Sequence, residues 1–121
     1  ENMEKIAELT DRKIRDNILF SDKAVTEITF LLQRLSDILK PTSEIILAKN
    51  IFLNRYLQES EKAVVKRATE YATLHEERLI EGLCMPSASS IYIGMLDHTK
   101  SIAWHAKEIA SNLVEWMLPK A

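Results

Sequence analysis

Few residues in this chain have the chemistry of a catalyst or a metal ligand. One cysteine, Cys84, and three histidines, His75, His98 and His105, are the natural nucleophile and base candidates. A thiol nucleophile needs its pKa lowered by a helix N-terminus, a base or a basic cluster. Nothing in the residues flanking Cys84 announces such an arrangement, so Cys84 reads as structural or incidental. The chain has no Gly-rich phosphate loop, no GxSxG and no HExxH. A helical bundle can hold two metal ions through Glu-x-x-His pairs, yet none of the three histidines has a Glu three residues before it. His98 and His105 share a helix face but lie about 10 Å apart along its axis, too far for one ion. They read as solvated or core-edge histidines. His75 and Arg78, one turn apart, form a candidate anion site in which Arg78 would grip a phosphate in a bidentate manner. A surface arginine is the plainer reading of Arg78.

The elements that carry these residues are helices. Two glycines and three prolines in 121 residues leave long uninterrupted stretches. An apolar fraction of 46% and a charged fraction of 28% are those of an ordinary globular domain. The net charge of −2, with acids and bases interspersed, argues against a nucleic-acid footprint or a polybasic membrane patch. A single cysteine excludes an internal disulfide framework and suits a reducing compartment. No apolar run approaches the roughly 20 residues that span a bilayer, and no secretory signal is visible.

Four helical segments can be traced. The first, Met3 to Leu19, carries a thin stripe at Ile6, Leu9, Ile14 and Ile18. Ser21-Asp22-Lys23 then supplies an N-cap signal. Ala24, Ile28, Leu31, Leu32, Leu35, Ile38 and Leu39 follow at spacings of three and four. Pro41 predicts a kink or break, with a turn near Asn50. A third helix, Ile51 to Leu83, has its stripe at Leu53, Leu57, Val64, Ala68, Tyr71, His75, Leu79 and Leu83. Cys84 to Ser90 reads as a loop, short enough to make its flanking helices antiparallel neighbours. The last helix runs from about Ser89 to Met117, and its stripe includes Tyr92, Leu96, Thr99, Ile102, Ala103, Ala106, Ile109 and Ala110. The expected fold is all-α: an antiparallel three-helix bundle with an additional N-terminal helix.

Four stretches in this order resemble the PhoU-domain family, in particular the PhoU-like tails of bacterial sodium/phosphate cotransporters. Phe20 to Ile28, FSDKAVTEI, is similar to the family's FS-x-x-A-x-x-E-L opening. Glu59 to Val64 resembles its acidic middle-helix segment, and His75 to Cys84 its H-x-x-R-L-x-x-G-x-C. Leu96 to Ala110 resembles L-x-x-L-E-R-I-G-D-H-A-x-N-I-A, agreeing at Ile102, His105, Ala106, Ile109 and Ala110. The resemblance implies a linker helix over residues 1–19 and a PhoU-like bundle over 20–121. It also implies a non-catalytic regulatory role in phosphate uptake, on the cytoplasmic side of the bacterial inner membrane, as the C-terminal part of a membrane protein. The partner would be the transmembrane portion of the same transporter or a signalling protein, with homo-oligomers possible. Neither nucleic acid nor direct membrane insertion is expected. The alternatives are a stand-alone PhoU-like regulator, which usually carries two such repeats, and a metal-binding bundle.

Many family members bind metal clusters through acids in an E/D-x-x-x-D pattern. Aligned on His105, the family's Glu and Asp fall here on Lys100 and Trp104; on the middle helix Glu61 matches an acid, but Val65 stands four residues later. Hard and borderline ions need clustered anionic oxygens, so no metal or other cofactor is expected. Lys100, Trp104 and Glu108 instead share a surface stripe at i, i+4 and i+8. With Val65 on the facing helix they form a candidate protein contact, across which Glu61 and Lys100 are expected to pair.

Overall fold

A computed structural model describes residues 1–48 and 51–117. Among them four α-helices account for nearly all the regular structure: α1 (Asn2–Arg15), α2 (Asp22–Ala48), α3 (Asn54–Ile80) and α4 (Pro86–Met117), with a 3₁₀ turn at Ile51–Leu53 before α3. The fold is an all-α helical bundle. The short Ser-Ile-Tyr-Ile-Gly run, the one stretch with strand-like alternation, lies inside α4.

Local chemistry explains most boundaries. α1 stops at Arg15, short of the expected Leu19, because Asn17 takes φ +51°. Ile18 N–H then bonds the Lys13 carbonyl at 2.9 Å and Asn17 N–H that of Ile14 at 3.2 Å, a Schellman ending. α3 stops the same way: Gly82 at φ +74°, Leu83 N–H to the Arg78 carbonyl at 2.8 Å, Gly82 N–H to that of Leu79 at 3.2 Å. Leu83, expected on the buried stripe, is thereby turned out and is 63% exposed. α2 begins as expected, with the Ser21 hydroxyl accepting the Ala24 N–H at 3.2 Å. α4 starts three residues before the expected Ser89, because Pro86 occupies a first-turn position where its missing N–H costs nothing.

Of the kink or break expected at Pro41, the break does not occur: α2 runs through it as one helix. Proline removes one helix hydrogen bond. Ile38 and Ile45 on either side are both 1% exposed, and packing them into one continuous core face opposes a break. Thr42, itself buried, adds a hydroxyl bond back to the Ile38 carbonyl at 2.8 Å. The turn expected near Asn50 lies outside the described residues.

Helix α4 is the hub, packing against α1, α2 and α3. Side-chain bonds between Gln58 and Ser111, and between His75 and Ser89, show that α3 and α4 run antiparallel. The main core joins Leu31, Leu35, Ile38 and Ile45 of α2, Leu57, Val64 and Ala68 of α3, and Leu96, Ala103, Ala106 and Ala110 of α4. The alanines on α4 let neighbouring backbones approach closely. α1 has no fully buried residue; it lies against α4, where Leu9 Cδ1 would come within 2.9 Å of a Cβ placed on Gly94. A second cluster of Ile18, Ala88, Ile91 and Met95 fastens the α1–α2 connection onto the start of α4.

Candidate functional site

Near the end of the bundle formed by the start of α2, the end of α3 and the start of α4, a polar cluster sits inside the apolar core. Glu27 belongs on the buried face of α2, since Ala24, Glu27 and Leu31 are spaced by three and four. Arg78 belongs on the buried face of α3 one turn beyond His75. Their side chains meet: Arg78 Nη2 donates to Glu27 Oε1 at 2.7 Å and Nη1 to Oε2 at 3.4 Å. The Tyr92 hydroxyl donates to Glu27 Oε1 at 2.9 Å from α4. Glu27 is 7% exposed and Arg78 8%, so both charges are held away from water.

His75 completes the cluster. Its ring stacks on Tyr92 at 4.6 Å, and Phe20 meets the same tyrosine edge-on at 5.9 Å. His75 Nε2 is 3.0 Å from the Ser89 hydroxyl, and Nδ1 is 3.9 Å from Cys84 Sγ. A three-dimensional Cys84–His75–Ser89 sequence thus exists, though these residues are separated along the chain. At 3.9 Å the sulfur–nitrogen approach is a long, weak hydrogen-bond contact of a thiol. Burial, then the neighbouring Arg78 charge, lowers the pKa of His75, so its imidazole is neutral near pH 7. The neutral imidazole is the form that can accept a proton, and the long approach leaves Cys84 and His75 as polar groups packed side by side.

The same electrostatics fix the other members. Burial opposes the charge on Arg78, but the hydrogen bond and charge of Glu27 outweigh it and raise its pKa. Burial, then the hydrogen bond and charge of Glu27, raises the pKa of Tyr92 well above that of a free phenol, which keeps its proton on the donated bond.

A pH dependence follows from His75. Its pKa in the folded protein lies below the unfolded value near 6.5, so the unfolded chain binds the proton more readily. The stability that the neutral ring provides is complete above about pH 6.5. It is lost as pH falls through the lower folded value. Melting temperatures between pH 7.5 and pH 5 are expected to drop more steeply for the native chain than for His75→Phe.

The candidate anion site changes character in three dimensions. Arg78 is no surface arginine: both its terminal nitrogens are engaged by Glu27, which leaves no free fork for a phosphate. Glu27, Tyr92 and Ser89 were not singled out by motif or spacing as site residues. The available signal for Glu27 was an acid on an apolar stripe, which demands a buried partner.

The other candidate face lies on α4. Trp104 is 46% exposed, with the Lys107 ammonium 5.8 Å from its ring centre and His105 edge-on at 5.1 Å. Lys100 and Val65 are half-buried, and Glu108 lies 3.6 Å from Lys107. The expected Glu61–Lys100 pair does not form. Lys100 Nζ instead reaches Asp97 Oδ1 at 3.5 Å on its own helix, a contact that costs less side-chain ordering than one across helices. Glu61 is buried at 7% exposure. Among the described residues no three His, Cys, Asp or Glu side chains group closely enough to hold a metal, and no helix is long and apolar enough to cross a membrane.

No protein-family model matches the chain, and neither a curated protein nor a solved structure does.

Proposed function

We propose that this chain is a PhoU-like, non-catalytic regulatory module of a sodium-dependent phosphate cotransporter, acting on the cytoplasmic side of the membrane through contact with other protein. The observation that carries this reading is the convergence of separate stretches of the resemblance. Ala24 and Glu27 come from the FS-x-x-A-x-x-E segment; His75, Arg78, Gly82 and Cys84 come from the H-x-x-R-L-x-x-G-x-C segment. Glu27 and Arg78 bond to one another, His75 touches Cys84, and Gly82 makes the turn between them. Residues drawn from two stretches of the resemblance meet here to close one end of the α-helical bundle.

The decisive experiment for the transporter assignment is to read the gene upstream of Glu1. Several apolar segments of about 20 residues each support it; an upstream region without them overturns it. The contact face is tested separately. Trp104 is half exposed where the resemblance leads one to expect an acid, and aromatic residues dominate contact energies. Trp104→Ala is expected to lower the sedimentation-derived mass of the self-associated protein towards that of the monomer. Identical monomeric masses for both proteins would remove self-association through this face.

A further inference from the structure

The start of α2 and the end of α3 border an open groove of about 590 Å³ in which two leucines stand among polar and charged side chains. Leu74 and Leu83 stand in it, 44% and 63% exposed. Leu83 is held there by the α3 ending, because Gly82 turns the chain and the Leu83 N–H is bonded to the Arg78 carbonyl. The apolar contact is therefore formed in advance and costs little ordering on binding. Charge surrounds it on one side of neutrality. Glu27 and Arg78 in the groove cancel one another at 2.7 Å. That leaves Asp22, Glu77 and Glu81, all exposed and without an ion-pair partner among the described residues, against the single ammonium of Lys23.

We infer that this groove docks a basic amphipathic helical segment of another protein, its apolar side chains on Leu74 and Leu83 and its lysines or arginines facing Asp22, Glu77 and Glu81. Helix-in-groove recognition needs an apolar floor wide enough for one or two turns of apolar anchors, with a polar rim to fix orientation. The volume lies in the range of about 300–1,000 Å³ typical of binding clefts. The acidic rim opposes an anionic lipid surface and an acidic peptide equally, and attracts cations over a distance set by salt. The inference goes beyond the phosphate assignment and does not depend on it, since its test uses neither phosphate nor a transporter.

The test is fluorescence anisotropy with a labelled peptide carrying leucine and lysine at helical spacing, titrated with the whole chain. Saturable binding that weakens with added salt is expected. Glu77→Gln/Glu81→Gln is expected to weaken it roughly tenfold, and Leu83→Ser to a similar degree, while Glu4→Gln/Glu8→Gln on α1 leaves it unchanged. Circular dichroism of each variant establishes that it is folded. An acidic peptide of the same apolar pattern is expected not to bind. Equal binding of the acidic peptide, an unaffected Glu77→Gln/Glu81→Gln variant, preferential binding to anionic vesicles, or no saturable binding would each overturn the inference.

Discussion

Replacing Glu27 with alanine is expected to lower the free energy of unfolding by about 3–5 kcal/mol, measured by urea denaturation. The loss follows from what Glu27 leaves behind. Arg78 is 8% exposed, and its guanidinium would remain charged in that setting because arginine does not give up its proton. Its Nε already has no acceptor among the described residues. Removing Glu27 takes the acceptors from Nη1 and Nη2 as well, and from the Tyr92 hydroxyl. Native domains are stable by only about 5–15 kcal/mol in total. A variant that unfolds at nearly the native urea midpoint would mean that water reaches the guanidinium.

Tyr92→Ala is expected to cost a similar amount, about 3–5 kcal/mol, as large aromatic truncations in cores do. Tyr92 is fully buried, stacks on His75, receives the edge of Phe20 and donates to Glu27. Those contributions separate in Tyr92→Phe, which keeps the ring and loses the hydroxyl. That variant is expected to lose only the bond to a charged acceptor, about 1.5–3 kcal/mol. The two denaturation midpoints should therefore be clearly ordered, native above Phe above Ala. Equal losses for the two variants would place the whole effect in the hydroxyl and none in the packing.

The fold was legible in the sequence where apolar spacing was unambiguous. Leu31, Leu35 and Ile38 in α2 and Ala103, Ala106 and Ala110 in α4 are buried as their periods require. The N-cap signal of Ser21-Asp22-Lys23 was equally plain, and of its two candidate caps the Ser21 hydroxyl makes the bond. Pro41 does not break α2; its local cost is fixed and visible, while the packing that outweighs it comes from other helices. Leu83 and Ile109 kept the helical period and are nonetheless exposed. The first is turned out by a Schellman ending, and the second sits at the margin of the apolar face.

The polar cluster was half legible. His75 and Arg78 stood out as a pair, and the chemistry assigned to them was that of an open anion site. The partner of Arg78 lies 51 positions earlier, and nothing in the local pattern says that an arginine on a buried stripe will meet that particular acid. A reading that treats each charged residue on an apolar face as half of a pair would have linked Glu27, Glu61 and Arg78 as candidates. Two of the three are joined in the fold, and Glu61 makes no ion pair among the described residues.

Glu27 and Arg78, from two separate stretches of the chain, act on one another inside the bundle. The most direct measurement is a double-mutant cycle of Glu27→Leu and Arg78→Met by urea denaturation. Each single variant leaves one buried charge unpaired, whereas the pair replaced by apolar groups leaves none. The double variant is predicted to be more stable than either single one, with a coupling of at least about 1.5 kcal/mol. Losses that add to within about 0.5 kcal/mol would contradict it, because the two side chains would then act independently.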